Sequence, residues 1–156
     1  MSIASVVQER QSTCWPLHAP MKPPKLDGIQ TLVVDDNVAA GMLLDIFLRR
    51  LGAEVVVVES VADAIRCFRS SPPSLLISDI WLKDGNGHEL IQWIRSLSDG
   101  HLNAIPAVAL SADVTVQNQQ ASLISGFQAF VPKPIRLSAL VLTLHHVLEQ
   151  STTRWN

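Results

Sequence analysis

Four short stretches of this 156-residue chain carry side chains that could act together. Asp35-Asp36 follows the apolar run Gln30-Thr31-Leu32-Val33-Val34. Asp79 closes Ser74-Leu75-Leu76-Ile77-Ser78. Ser111 follows a run over 105–110, and Lys133-Pro134 follows a run over 128–132. The run before Asp79, bounded by Pro72-Pro73 and a Gly-rich loop, reads as a fully buried strand, and the other three read as strands as well. The strand ends therefore deliver acid, acid, hydroxyl and ammonium, in that order. Two carboxylates ~4 Å apart repel by about 4 kcal/mol at an effective dielectric near 20. Three brought together require a proton, an ammonium or a metal. A hard divalent ion with oxygen ligands suits Asp35, Asp36 and Asp79 without any His or Cys, and Mg²⁺ is the expected ion. Lys133 would add a second cation and Ser111 a hydrogen bond. A metal, a lysine and a hydroxyl around one carboxylate form a phosphoryl-transfer arrangement. Asp79 would then be the nucleophile, accepting phosphate as an acyl phosphate.

That chemistry requires a fold that gathers four strand ends. From Leu26 onward, strands alternate with helical patterns. Ala40, Leu44 and Leu48 form one row of the first helix, with Leu43, Phe47 and Leu51 beside it; Arg49-Arg50 and Gly52 suit its end. A second strand covers 54–58. Ser60 caps a helix with Asp63 in its first turn and Val61, Ala64, Ile65 and Phe68 on its apolar face. A helix over 87–97 turns Leu90, Ile91, Ile94 and Leu97 inward. Asp113 is the expected cap of a polar helix ending at Ser125 and broken by Gly126. The last helix, over about 136–149, buries Leu137, Leu140, Val141, Leu144 and Leu148. Five strand–helix units call for an α/β fold, a doubly wound five-stranded parallel sheet with helices on both faces. Strand order 2-1-3-4-5 puts the first and third strands side by side and the acids at the switch point, outside the carboxyl ends of the strands.

Length and a 47% apolar fraction suit one domain with a real core. The expected division is a proline-containing tail or linker over 1–27, a domain over 28–150 and a C-terminal tail over 151–156. Within the first tail a short helix over 3–11 is expected, and Trp15 and Leu17 are candidates to dock on the domain. A net charge of −2 gives no general attraction to nucleic acid or anionic membrane. Cys14 and Cys67 are too few for a disulfide scaffold and fit a reducing cytosol, so a cytoplasmic location is expected. No apolar run approaches membrane-spanning length. His18, His88, His101, His145 and His146 lack zinc spacing and are expected at the surface, the last two near a helix end.

These residues together resemble the receiver domain of two-component response regulators, over about residues 28–149. The resemblance is carried by Leu32-Val33-Val34-Asp35-Asp36-Asn37, by Asp79 through Leu90, by Ser111-Ala112 and by Lys133-Pro134. The opening Leu26-Asp27-Gly28 and the segment 126–134 are similar to receivers attached to hybrid histidine kinases, within a flavodoxin-like, chemotaxis-regulator-like family. The resemblance implies a signalling receiver rather than a conventional enzyme, one that catalyses its own aspartyl phosphorylation and dephosphorylation. It implies that Asp79 is the phosphoacceptor, and that Asp35, Asp36, Asp79 and the backbone carbonyl of Trp81 hold Mg²⁺, directly or through water. It further implies that Lys133 contacts the phosphoryl group, that Ser111 and Phe130 are a switch pair, and that the Lys133-Pro134 bond is cis. The implied partners are a histidine kinase or phosphotransfer protein and a downstream protein, with a homodimer possible through the fourth helix, fifth strand and fifth helix. Two departures stand out. Lys83 replaces the proline often found four residues after the acceptor, and Trp81 occupies a variable position that influences phosphate lifetime.

Other readings remain at this point. Each motif alone has a structural explanation: Asp35-Asp36 as cap and turn acid, Asp79 as a turn cap, Lys133-Pro134 as a loop. A phosphorylation-independent docking module would not need the full acid–lysine set. An aspartyl-phosphate hydrolase of another family would want acids two residues apart on the first strand, and a flavin or nucleotide binder would want a phosphate-cradling loop there. The chain carries no recognisable output domain, so direct DNA binding is not expected. It reads either as a stand-alone regulator or as a piece of a hybrid protein. The Trp81 indole is expected at the rim of the cleft, next to buried Ile80.

Overall fold

The computed structural model describes residues 24–154. The helix expected over 3–11, Trp15 and Leu17 lie outside the described residues. Strands β1 (Gln30–Val34), β2 (Glu54–Val58), β3 (Leu75–Asp79), β4 (Ala107–Ser111) and β5 (Ala129–Pro132) form one parallel sheet in the order β2-β1-β3-β4-β5. The helices are α1 (Val38–Arg50), α2 (Val61–Ser70), α3 (Gly87–Arg95), α4 (Val116–Ser125) and α5 (Leu137–Arg154). Between β3 and α3 a two-residue antiparallel ribbon pairs Trp81–Leu82 with Gly85–Asn86. This is the doubly wound, flavodoxin-like fold expected above. Its register sets Val34 beside Ser78, Asp79 beside Leu110 and Ser111 beside Pro132. The residues that follow or end these strands therefore emerge along one edge of the sheet.

Alternation along the strands divides the core. Val33, Val55, Ile77 and Val108 join Leu44 and Leu48 of α1 and Leu140, Leu144 and Val147 of α5 on one face. Leu32, Leu76 and Ala109 join Ala64 and Phe68 of α2 and Leu90, Ile91 and Ile94 of α3 on the other. All five residues of β3 are buried, as expected for a central parallel strand covered on both sides. Fully burying one such Leu or Ile contributes about 1.5–3 kcal/mol. Leu26 is also fully buried, and its N–H donates to the Leu51 carbonyl at 2.7 Å. The packed unit thus begins ahead of residue 28.

The helix starts follow capping chemistry. Asn37 Oδ1 accepts from the Ala40 N–H, Ser60 Oγ from Asp63 and Asn86 Oδ1 from Glu89. The cap of α4 is Thr115 and not Asp113: Thr115 Oγ1 accepts the Asn118 N–H, while Asp113 Oδ1 accepts the Thr115 N–H one step upstream. Gly126 closes α4 at φ +126°, a conformation a side chain would strain. Two expected core residues differ: Leu43 and Leu137 are exposed. An i, i+4 row winds about 40° around a helix per step, which carries Leu43 off the face that holds Leu44 and Leu48. Leu137 is the first residue of α5, ahead of the turns that meet the sheet. Val147, which the expected face left out, is buried. α5 also continues to Arg154, through much of the stretch expected as a tail.

The departure that matters most is α4. Its buried positions are Asn118 and Ser122, both polar, whereas Val116, Leu123 and Ile124 face solvent.

Candidate functional site

Asp35 leaves β1 with its side chain fully buried. Its Oδ1 accepts the Asn37 N–H at 2.9 Å, and its Oδ2 accepts Lys133 Nζ at 2.8 Å. Asp79 ends β3 at 7% exposure. Its Oδ1 accepts the Trp81 N–H at 3.3 Å, and its Oδ2 accepts the same Lys133 Nζ at 2.8 Å. Lys133 follows β5, and its backbone N–H donates to the Ser111 carbonyl at 2.8 Å. The two neighbouring strand ends thus hold the base of the lysine. Asp36 is half-buried, and Asp35, Asp36 and Asp79 each offer a carboxylate oxygen within 4.8 Å of the others. The sheet register brings together four groups that the sequence spreads over 35–133.

The electrostatics show what the cluster lacks. Burial pushes the Asp79 carboxyl above its ordinary value; the Lys133 ammonium pulls it back, and the neighbouring Asp35 pushes it up again. Burial also works against the Lys133 charge, yet its bonds to Asp35 and Asp79 outweigh that and raise its pKa. One ammonium faces three carboxylates, so negative charge remains uncompensated. The donor set is all oxygen and partly buried. These features fit a hard divalent cation of the Mg²⁺ kind.

Ser111 is fully buried at the end of β4. Its Oγ accepts from the Asp113 N–H at 3.1 Å and from Asn118 Nδ2 at 3.3 Å. Phe130 lies in β5, partly buried against the core on the α2–α3 face. Trp81 is 60% exposed while Ile80 is fully buried, which puts the indole outside the core in the loop beyond Asp79. The Lys133-Pro134 bond is cis. Gly87 opens α3 against the end of β3. Its N–H donates to the Ile80 carbonyl at 2.7 Å, and a Cβ there would stand 2.5 Å from the Asp79 carbonyl oxygen.

Three features escaped the sequence reading. Asn118 and Ser122 sit four apart on α4, and their polar spacing among Val, Leu and Ile was the available signal. His88 is not a surface group: it is half-buried, with Nε2 3.1 Å from Ser122 Oγ, and burial lowers its pKa. Asp84, in the ribbon turn, accepts the N–H groups of Val61 and Ala62 at 2.9 and 3.1 Å and so caps α2 from a distant loop. His145 and His146 bond along their own helix, to Glu149 and Gln150.

Among the described residues no helix is long and apolar enough to cross a membrane. Residues 31–145 match the response regulator receiver domain family. An uncharacterised 14.6 kDa protein of Leptolyngbya boryana is 36% identical over 104 residues, covering 67% of this chain and 78% of that protein. The sensor histidine kinase GacS of Pseudomonas protegens is 31% identical over 107 residues, which are 68% of this chain but 12% of the kinase. In fold, the chain is similar to the chemotaxis response regulator CheY4 of Vibrio cholerae. The TM-score is 0.71 at 22% identity, over 77% of this chain and 98% of that one. The receiver domain of a histidine kinase from Syntrophus aciditrophicus is as similar, with a TM-score of 0.71 over 79% of this chain and 92% of that one. A match across most of the chain, on a sheet whose carboxyl edge gathers three aspartates and a lysine, establishes that this chain belongs to the receiver domain family of two-component response regulators.

Proposed function

We propose that Asp79 accepts a phosphoryl group from the phosphohistidine of a histidine kinase or phosphotransfer protein, and that the resulting acyl phosphate switches a protein-interaction surface. The observation that carries this reading is the single Lys133 ammonium bonded to both Asp79 and Asp35, with a third carboxylate in reach. In the transfer an Asp79 carboxylate oxygen attacks phosphorus, the phosphorus–nitrogen bond of the donor breaks, and the imidazole leaves with the bond's electron pair. Asp35, Asp36, Asp79 and the Trp81 carbonyl would hold Mg²⁺, which supplies charge neutralisation when bound. Asp35 and Lys133 fix the acceptor's orientation, and the Lys133 ammonium is placed to follow the negative charge onto a phosphoryl oxygen. The Ser111 hydroxyl provides a hydrogen bond to that group, and Phe130 turns with it to carry the change outward. By the same groups the domain promotes its own phosphorylation and dephosphorylation.

Two surfaces suit partners. Val38, Met42 and Ile46 form an exposed apolar row on α1, next to Asp35 and Asp36, which fits the donor protein. Leu123 and Ile124 of α4, with Leu137 and Leu142 of α5, are exposed as well and fit the downstream partner or a second copy. The chain's slight net negative charge does not favour nucleic acid. Phosphotransfer of this kind places the domain in the cytoplasm.

With Mg²⁺ and acetyl phosphate, or with a phosphorylated kinase, the protein should gain one acid-stable, base-labile phosphoryl group, mapped to Asp79 by mass spectrometry. Modification of Asp79→Ala at the wild-type rate would overturn the assignment.

A further inference from the structure

An amphipathic helix on a sheet ordinarily turns an apolar stripe inward. In α4 the buried positions are Asn118 and Ser122, so hydrogen bonds take over much of the hold that apolar burial gives elsewhere. Those bonds form one chain. Asn118 Nδ2 donates to Ser111 Oγ at 3.3 Å and to the Asp113 carbonyl at 2.7 Å. Ser122 Oγ donates to the main-chain carbonyl of Asn118, one turn back in α4, at 2.9 Å and lies 3.1 Å from His88 Nε2 on α3. Ser122 has one hydroxyl proton, already directed at the Asn118 carbonyl, so His88 Nε2 is the donor to Ser122. Burial lowers the His88 pKa, which leaves a neutral ring with its proton on Nε2 at pH 7. His88 itself follows Gly87, whose backbone presses on the Asp79 carbonyl.

We infer that Asn118 is a positioning residue that holds the Ser111 hydroxyl against α4 while Asp79 is unmodified, and that Ser122 and His88 in turn hold the turn of α4 that carries Asn118. The inference rests on the reading of Asp79 as phosphoacceptor and of Ser111 as the hydroxyl that turns toward the phosphoryl group. Turning breaks the Asn118–Ser111 bond. Asn118 Nδ2 keeps the Asp113 carbonyl for one of its two N–H donors and frees the other, so the side chain stays anchored while one bond is lost. The lost bond belongs to the set that secures α4, and a helix held by so little apolar contact is drawn from the low-stability end of the fold. Loosening it alters the face that carries Leu123 and Ile124.

The test is calorimetric titration with beryllofluoride, a tetrahedral phosphoryl mimic, in saturating Mg²⁺, alongside thermal unfolding without the mimic. One net hydrogen bond corresponds to about a fivefold change in an equilibrium. Asn118→Ala should bind the mimic about fivefold more tightly than wild type and unfold at a lower temperature. These opposite signs separate release of a latch from general damage, which weakens both. Ser122→Ala and His88→Leu should shift binding the same way by a smaller factor, and they carry the test should Asn118→Ala not fold. His88→Gln, which keeps a donor, should restore wild-type binding. Unchanged or weaker binding in the variants, with wild type binding normally, overturns the inference and leaves the reading of Asp79 intact. No binding by wild type overturns both.

Discussion

The Lys133 ammonium and the Asp79 carboxylate form a 2.8 Å ion pair in which the lysine's charge is shared with Asp35. That sharing acts differently on the two groups, because burial is the larger influence on Asp79. Lys133 gains from two anions, while Asp79 gains from half a cation and is opposed by burial and by Asp35. Removing the lysine should therefore expose the repulsion that it masks. Lys133→Met should lower stability in the absence of metal by about 3 kcal/mol, the range for stranding a buried charge. Urea unfolding with and without Mg²⁺ checks this, and the ion should stabilise the variant more than it does wild type. An unchanged midpoint would mean that the acids are not repelling one another.

Mg²⁺ should raise the unfolding temperature of the wild-type protein by binding only its folded form. Asp36→Ala removes one of the three carboxylates whose oxygens converge within 4.8 Å and should abolish most of the increment. An equal response in the variant would move the ion elsewhere.

Asp84 ties the ribbon to the start of α2. The Val61 and Ala62 N–H groups hold its carboxyl below the ordinary value of 3.8. A carboxyl lowered by folding stabilises the protein above its unfolded pKa, and that contribution fades as pH falls through the folded value. Asp84→Ala should cost about 1 kcal/mol at neutral pH, as lost caps do, and the difference from wild type should shrink below pH 4. A difference that persists undiminished in acid would assign the loss to packing.

His88 has the opposite chemistry and the same slope. Burial lowers its pKa from 6.5, so the folded state prefers the neutral ring. The unfolded chain takes up the proton first, and stability is lost as pH falls through 6.5 toward the folded value. Comparing wild type with His88→Gln by urea unfolding between pH 7 and pH 5 should show the glutamine variant losing less. Parallel profiles would mean that the ring titrates alike in both states.

How much of this was legible beforehand varies with the physics of each part. Strand order and the Asp35, Asp36, Asp79 and Lys133 cluster followed from apolar runs ending in charged residues, because a parallel sheet aligns its carboxyl ends. The caps at Ser60 and the break at Gly126 followed from local chemistry. Asn118, Ser122 and His88 did not. Their roles depend on α3 and α4 meeting in space, and no periodicity along one helix reports a partner on another. The same limit misassigned the α4 cap: Asp113 and Thr115 are both good capping residues, and which one begins the helix depends on how the chain leaves Ser111.

Trp81 is 60% exposed in the loop that follows Asp79. With Asp79 as the proposed phosphoacceptor, a bulky ring there would restrict approach of the water that hydrolyses the acyl phosphate. Trp81→Asn, with a small amide able to orient water, should lose phosphate faster than wild type in single-turnover decay with Mg²⁺. Equal rates, or slower decay in the variant, would leave Trp81 as a contact for a partner.

The Gly87 N–H on the Ile80 carbonyl closes the neck of the loop that contains Trp81 through Asn86. With no side chain at Gly87, the neck cinches directly against the Asp79 backbone. Trp81, at the near end of that loop, still bonds Asp79 Oδ1, whereas Lys83 and Asp84 form the turn at its far end. That makes the ribbon a graft point: residues inserted at its Lys83–Asp84 tip would lengthen an appendage rather than displace Asp79. New recognition sequences could be carried there, beside an unaltered cluster of acids, provided that Asp84 keeps its bonds to the start of α2.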